Sequence, residues 1–209
     1  TLTGDPRRWA AEPGIPGVVH YFGPFTFNSP FGSKSDAEEG ENALRALKEQ
    51  IMLDGPKTIA GIFVEPIVGT NGIIVPPDSW LKGIRKICDE NGILMIADEV
   101  MTGWGRTGEW FGMDNWNVVP DIITTAKGIT SGYVPLGAMI WSKKIYDYYS
   151  ENPFIGGLTY GGHALACAAG IANIETYKRE NLIQNSKENG TYLHEKLLGL
   201  KEKHPSEIG

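Results

Sequence analysis

Only two of the 209 residues are cysteine, and neither sits in a CxxC spacing, so the chain offers no disulfide framework. Cys88 lies in a stretch of helical periodicity and Cys167 in an alanine-rich one, and both are expected to be buried free thiols. His20, His163, His194 and His204 are scattered without HExxH or paired-ligand spacing, so metal binding finds no support. No Lys/Arg cluster is longer than a pair, and 19 basic residues stand against 25 acidic ones for a net charge of −6. That balance argues against affinity built on neutralising nucleic-acid phosphates. Uncharged apolar runs such as 93–97 are a few residues long, against the roughly 20 of a membrane span. The opening TLTGDPRRWAAEPG has neither the apolar core of a secretory signal nor the acid-poor composition of a transit peptide, so a cytoplasmic location is expected.

Hydrophobic residues make up 41% of the chain and charged ones 21%, enough apolar content for a packed core. Glycine supplies 27 residues, well above the roughly 7% average. Its concentration between 103 and 162 marks a region where backbone takes positive φ or lies close to a ligand.

Residues 1–35, with PGIPG and FGPFTFNSPFG, show no periodicity and read as an extended loop. From Asp36 the pattern is helical, with Ala43, Leu44, Leu47, Ile51 and Met52 on one face and Gly55-Pro56 as the stop. Residues 58–64 form an apolar strand ending at Glu65. Asp78 is expected to cap a helix carrying Leu81, Ile84, Ile87 and Cys88, which stops at Asn91-Gly92. Residues 93–97 form a second buried strand, ending at Asp98-Glu99. Strand, helix, strand in about forty residues is a βαβ unit, and near-continuous apolar strands imply a parallel sheet covered on both faces. Residues 121–125 and 136–141 read as further strands, and 163–178 and 186–203 as helices, so the class is α/β.

Ligands in such sheets bind beyond the carboxyl ends of the strands. Here those ends carry Glu65, Asp98-Glu99 and Lys127, which places three ionisable sites on one rim. ILMIADEV (93–100) has the form of a Walker B strand, but the chain lacks the GxxxxGK[ST] that nucleotide hydrolysis requires. GWGRTG (103–108) matches GxGxxG, yet EWFGMDNW follows it, and that sequence does not open the helix a dinucleotide fingerprint needs. Asp98 and Lys127 are the sharper pair. A lysine on such a rim forms a Schiff base with an aldehyde cofactor, and a carboxylate opposite keeps a pyridine nitrogen protonated. That is pyridoxal phosphate chemistry.

The stretches VEPIVGTNGIIVPP (64–77), ILMIADEVMTGWGRTG (93–108), PDIITTAKGITSGYVPLGAM (120–139) and GLTYGGHALACAA (157–169) resemble the class III pyridoxal-phosphate aminotransferases, the ω-aminotransferases. The resemblance implies the large domain of fold type I and a cofactor bonded to Lys127, which also moves the proton during transfer. It implies that Asp98 pairs with the pyridinium nitrogen and that Val100 packs on the ring face. Thr159 matches a phosphate-binding threonine contributed to the neighbouring subunit's cofactor, which implies a homodimer with shared sites. Glu65 and Met101 are assigned to the cofactor's surroundings.

Two positions point to the pyruvate-dependent branch, whose donors are taurine, β-alanine and simple amines. Thr70 stands where glutamate- or ornithine-using members often have a gating Glu, and Met101 where many have Gln. Trp104 and Tyr133 are candidates to line the donor pocket, packing being the competing role. The expected reaction is a ping-pong exchange of an amino group between an ω-amino acid or amine and pyruvate or another 2-oxo acid. A class III aminomutase or decarboxylase, such as glutamate-1-semialdehyde aminomutase, or a catalytically silent interaction domain, are the alternatives. Family members are around twice this length, so residues 1–209 are expected to be a partial cofactor domain, incomplete at both ends, with the helix at about 186–203 leading toward a small domain. None of its arginines matches the family's substrate-carboxylate Arg.

Overall fold

The computed structural model describes residues 2–204. The chain divides into two compact units, one taking the residues up to Asp98 together with Trp116–Ile123, the other Glu99–Asn115 and the residues from Thr124 onward.

The first unit is built on the βαβ element. Helix α1 (Asp36–Asp54) starts at Ser35, whose hydroxyl accepts the Glu38 amide, and three acidic residues in its first turn complement the helix dipole. Ala43, Leu47 and Ile51 recur every fourth residue and form its buried stripe. Met52, one position further, lies 100° round the helix and is exposed, and Leu44 is half-buried. Strand β1 (Gly61–Val64) is shorter than the 58–64 run suggested. Thr58 closes a 3-10 turn instead, its hydroxyl donating to the carbonyls of Asp54 and Gly55.

Helix α2 (Asp78–Asn91) follows, with Trp80, Leu81, Ile84, Ile87 and Cys88 buried along one face. Each fully buried aliphatic of this kind contributes about 1.5–3 kcal/mol relative to exposure. Asp78 does not cap the helix: Pro77 is the cap residue, and the Asp78 carboxylate accepts the Trp116 indole N–H at 3.2 Å. Gly92 ends the helix at φ 70°, the left-handed conformation glycine adopts without penalty. Strand β2 (Leu94–Asp98) pairs parallel with β1 in the register Gly61↔Leu94 to Val64↔Ala97. Asp121 locks the entry to this strand. Its amide donates to the Met95 carbonyl, and its carboxylate accepts the Met95 amide and the Arg85 guanidinium, each at 2.8 Å.

The N-terminal segment contains only short 3-10 turns, as an unpatterned loop should, but it is tied down. Tyr21 donates to the Phe63 carbonyl at 2.7 Å, and the fully buried Glu39 accepts the Phe25 amide and the Ser29 hydroxyl.

Strand β3 (Ile122–Thr125) runs from the first unit into the second, and β4 (Ala138–Trp141) follows, the sheet order being β1-β2-β3-β4. The second unit adds α3 (Lys143–Glu151), α4 (Ala164–Arg179) and α5 (Leu182–Lys203). Helix α3 was not legible in the sequence because it buries no residue and so needs no apolar stripe. Helix α5 begins four residues before the expected start. Cys88 is buried as expected, and burial pushes its thiol up to about 11; Cys167 is only half-buried, and both are free. No helix among the described residues is long and apolar enough to cross a membrane.

Candidate active site

Lys127 lies two residues beyond the end of β3 and opens a 3-10 turn, Lys127–Ile129. Its φ is +43°, a left-handed backbone that costs a side-chain-bearing residue about 1–2 kcal/mol. Such strain is held by surrounding structure and concentrates at functional sites. The side chain is exposed, and its amine approaches Met101 Sδ at 2.7 Å. A thioether is a weak acceptor, and the amine forms no ion pair with a carboxylate among the described residues. Lys127 lines an open cavity of about 520 Å³ together with Ala126, Thr130, Val134, Pro135 and Leu136.

The turn behind Lys127 is closely supported. Gly128 lies under the Trp104 indole, where an added Cβ would be 2.7 Å from Trp104 Cβ. Trp104 itself cannot easily give way: its indole N–H donates to Thr125 Oγ1 at 2.7 Å, and its ring packs against Trp110, Phe111 and Tyr177. Trp104 is therefore a packing residue, and Tyr133, which is exposed, lies outside the residues lining the cavity. Gly128→Ala is expected to destabilise the protein by about 1–3 kcal/mol, the usual cost of overpacking. A lower urea midpoint with an unchanged m-value is the expected reading; no change in midpoint would refute the close contact.

From the other side, α4 presents Asn173 and Tyr177 to the same turn. Asn173 Nδ2 donates to the Gly128 carbonyl at 2.8 Å and the Ile129 carbonyl at 3.2 Å, and the Tyr177 hydroxyl donates to the Gly128 carbonyl at 3.0 Å. Sequence reasoning missed both residues. The available signal was two polar-capable side chains four apart, on the same face as Ala166 and Gly170 in an otherwise alanine-rich helix.

The predicted rim divides. Asp98 ends β2 and is half-buried, but Glu99 is turned inward and fully buried, because successive strand residues face opposite ways. Glu99 is thus removed from the rim. Its carboxylate accepts the amides of Gly112 and Met113 at 2.8 and 2.9 Å and the Thr102 hydroxyl. Burial, the largest influence, pushes this carboxyl above the ordinary glutamate range, while the three donors pull it back. The glycine-rich segment between Thr102 and Gly112 is a series of turns, with positive φ at Trp104, Gly105 and Gly108, and no helix follows the GWGRTG match.

Val100 is half-buried in the turn after Glu99, and Met101 is placed against Lys127. Glu65, in the first unit, is half-buried and accepts the Gly69 amide at 2.9 Å, closing the turn that carries the exposed Thr70. Thr159 lies in an exposed turn between β4 and α4. Of the proposed site residues, the structure brings Lys127 and Met101 into contact.

A lysine following a sheet strand on a strained turn, at the lip of a cavity, defines a Schiff-base type of site on an α/β scaffold. The family model for aminotransferase class-III matches residues 11–209, and the chain belongs to that family. It is 39% identical over 205 residues to the taurine--pyruvate aminotransferase of Bilophila wadsworthia, covering 95% of this chain and 44% of that protein. It is 41% identical over 177 residues to the omega-amino acid--pyruvate aminotransferase of Pseudomonas putida, covering 81% and 39%. The crystal structure of taurine:2-oxoglutarate aminotransferase from Bifidobacterium kashiwanohense, in complex with PLP and glutamate, superposes with a TM-score of 0.91 at 44% identity, over 97% of this chain and 46% of that one. The chain spans less than half the length of these relatives.

Proposed function

We propose that this chain supplies the cofactor-binding part of a pyridoxal-phosphate-dependent aminotransferase that moves an amino group from an ω-amino acid or amine to pyruvate, in two half-reactions of ping-pong type. The observation that carries the reading is Lys127: a strained, exposed lysine on a cavity, facing a thioether rather than a carboxylate. These features fit pyridoxal phosphate. The amine is accessible for bonding to an aldehyde, and the cavity beside it has the size of a small-ligand site.

When bound, the cofactor supplies an electrophilic aldehyde carbon and a ring that accepts electrons. Lys127 would hold it and, through Nζ, carry the proton between the donor's amino-bearing carbon and the cofactor. Asp98 would keep the pyridine nitrogen charged, by pairing of opposite charges. Val100 would pack on the ring face, and Met101 would present an uncharged, polarizable neighbour to the lysine amine. Glu65 belongs to the wider surroundings, its carboxylate being engaged with the Gly69 amide.

Thr159 would bind the phosphate in the neighbouring subunit of a homodimer. Support comes from the exposed apolar residues around it, Ile155, Leu158 and Tyr160, which form the kind of surface a partner covers. The pyruvate reading rests on Thr70 and Met101 and on the printed names of the Bilophila and Pseudomonas relatives. The Bifidobacterium relative is named for 2-oxoglutarate, so both acceptors belong in the assay.

The test is to add pyridoxal phosphate to the purified full-length protein, reduce with borohydride and map the adduct by peptide mass spectrometry. An adduct confined to Lys127 and absent from Lys127→Ala is the expected result. A wild-type adduct spread over surface lysines would refute the assignment. Product analysis with and without pyruvate then separates a transaminase, which needs an acceptor, from a mutase, which does not.

A further inference from the structure

Left-handed backbone at a lysine does not persist by itself, and nothing in the local sequence enforces it at Lys127: the glycine is the next residue, not this one. The restraint comes from α4. The Gly128 carbonyl accepts from both Asn173 and Tyr177, and Asn173 reaches on to the Ile129 carbonyl. The Ser131 hydroxyl completes the network, donating to Asn173 Oδ1 at 2.8 Å, so that the amide is oriented with its N–H₂ toward the turn. Tyr177 also stacks on Trp104, with centroids 6.5 Å apart, and Trp104 roofs Gly128. Gly170, one turn before Asn173, allows the close approach: a Cβ there would sit 3.2 Å from Leu136 Cδ2, on the segment lining the cavity.

We propose that Asn173 and Tyr177 are positioning residues that clamp the Gly128 carbonyl, hold Lys127 in its left-handed conformation and so aim its amine into the cavity. The inference rests on the reading of Lys127 as the cofactor lysine. Neither residue lines the cavity, so both act through the turn. Release of the clamp lets Lys127 relax to ordinary φ, which swings Nζ away from Met101.

The experiment times the incorporation of pyridoxal phosphate at Lys127 in the full-length protein, quenching with borohydride and quantifying the Lys127 peptide. Asn173→Ala removes two of the clamp's bonds, while Tyr177→Phe removes only a hydroxyl and keeps the ring against Trp104. Tyr192→Phe, on the exposed surface of α5, is the control. We expect incorporation to slow about threefold to tenfold in each clamp variant, as the loss of one or two hydrogen bonds implies. The pH at which the bound cofactor's visible absorption changes should move with it, a readout that general loosening does not shift. Tyr192→Phe should match wild type in both.

If wild type labels at Lys127 and folded Tyr177→Phe labels at the same rate with the same titration, the clamp is overturned while the lysine assignment stands. If wild type does not label at Lys127, both fall together.

Discussion

Replacing Lys127 by alanine is expected to lower amino transfer about 10²–10⁴-fold, the range lost when a positioned acid/base is removed. Lys127→Arg should be nearly as inactive. A guanidinium stays charged at any working pH, so it neither attacks a carbonyl nor accepts a proton. Stability should hardly change in either variant, because Lys127 is exposed and its side chain has one weak contact, with Met101. Surface changes of this kind usually fall within about 0.5 kcal/mol. Added small primary amines should restore part of the activity of Lys127→Ala, since they supply the missing base, and should do nothing for Lys127→Arg, whose side chain still fills the space. The check is the turnover of β-alanine with pyruvate in the full-length protein. Activity within tenfold of wild type in Lys127→Ala would end the assignment.

The second large effect is on folding. Glu99→Ala strands two buried amides, those of Gly112 and Met113, and leaves a void at a fully buried position. Each orphaned amide costs about 1–3 kcal/mol, so a total loss of about 3–5 kcal/mol is expected in urea denaturation. The same carboxyl makes stability depend on pH in a defined direction. Burial raises its folded value above the ordinary glutamate value, so the folded state binds the proton more tightly than the unfolded one. This contribution is fully present below the ordinary value, near 4.3, and is lost as pH rises through the raised folded value. Glu99→Gln has no such ionisation. The stability of wild type relative to Glu99→Gln should therefore fall between about pH 4 and neutrality. A difference that is flat, or that grows with pH, would show that the carboxyl is not raised.

Both residues were visible in the sequence, but only one in its proper role. Lys127 could be singled out because an apolar strand runs into it and a glycine follows. Glu99 was grouped with Asp98 as part of a charged rim, since adjacent acidic residues look alike in a sequence. Strand geometry separates them: neighbours point to opposite faces, and which face is covered depends on what packs there. Helix α2 and strand β2 were legible to within a residue because their apolar faces are buried, and burial is what periodicity records. Helix α3 and the first turn of α5 were not, because α3 and α5 contain no buried residue. The error at Asp78 has a similar origin. An Asp before an apolar stripe looks like a cap, while its actual partner, Trp116, is 38 residues away.

The sequence by itself determined the βαβ core, the glycine-rich turns and the motif order that places the chain among the class III aminotransferases. Local pattern suffices for these, since each is set by the alternation of apolar and polar residues over a few positions. Only the tertiary structure decided what Lys127 meets and what holds it. Met101 lies 26 residues before it, and Asn173 reaches across 45 residues to the Gly128 carbonyl. Such contacts depend on how α4 packs against the turn, and a hydrogen bond between distant residues leaves no periodic trace in the chain that makes it.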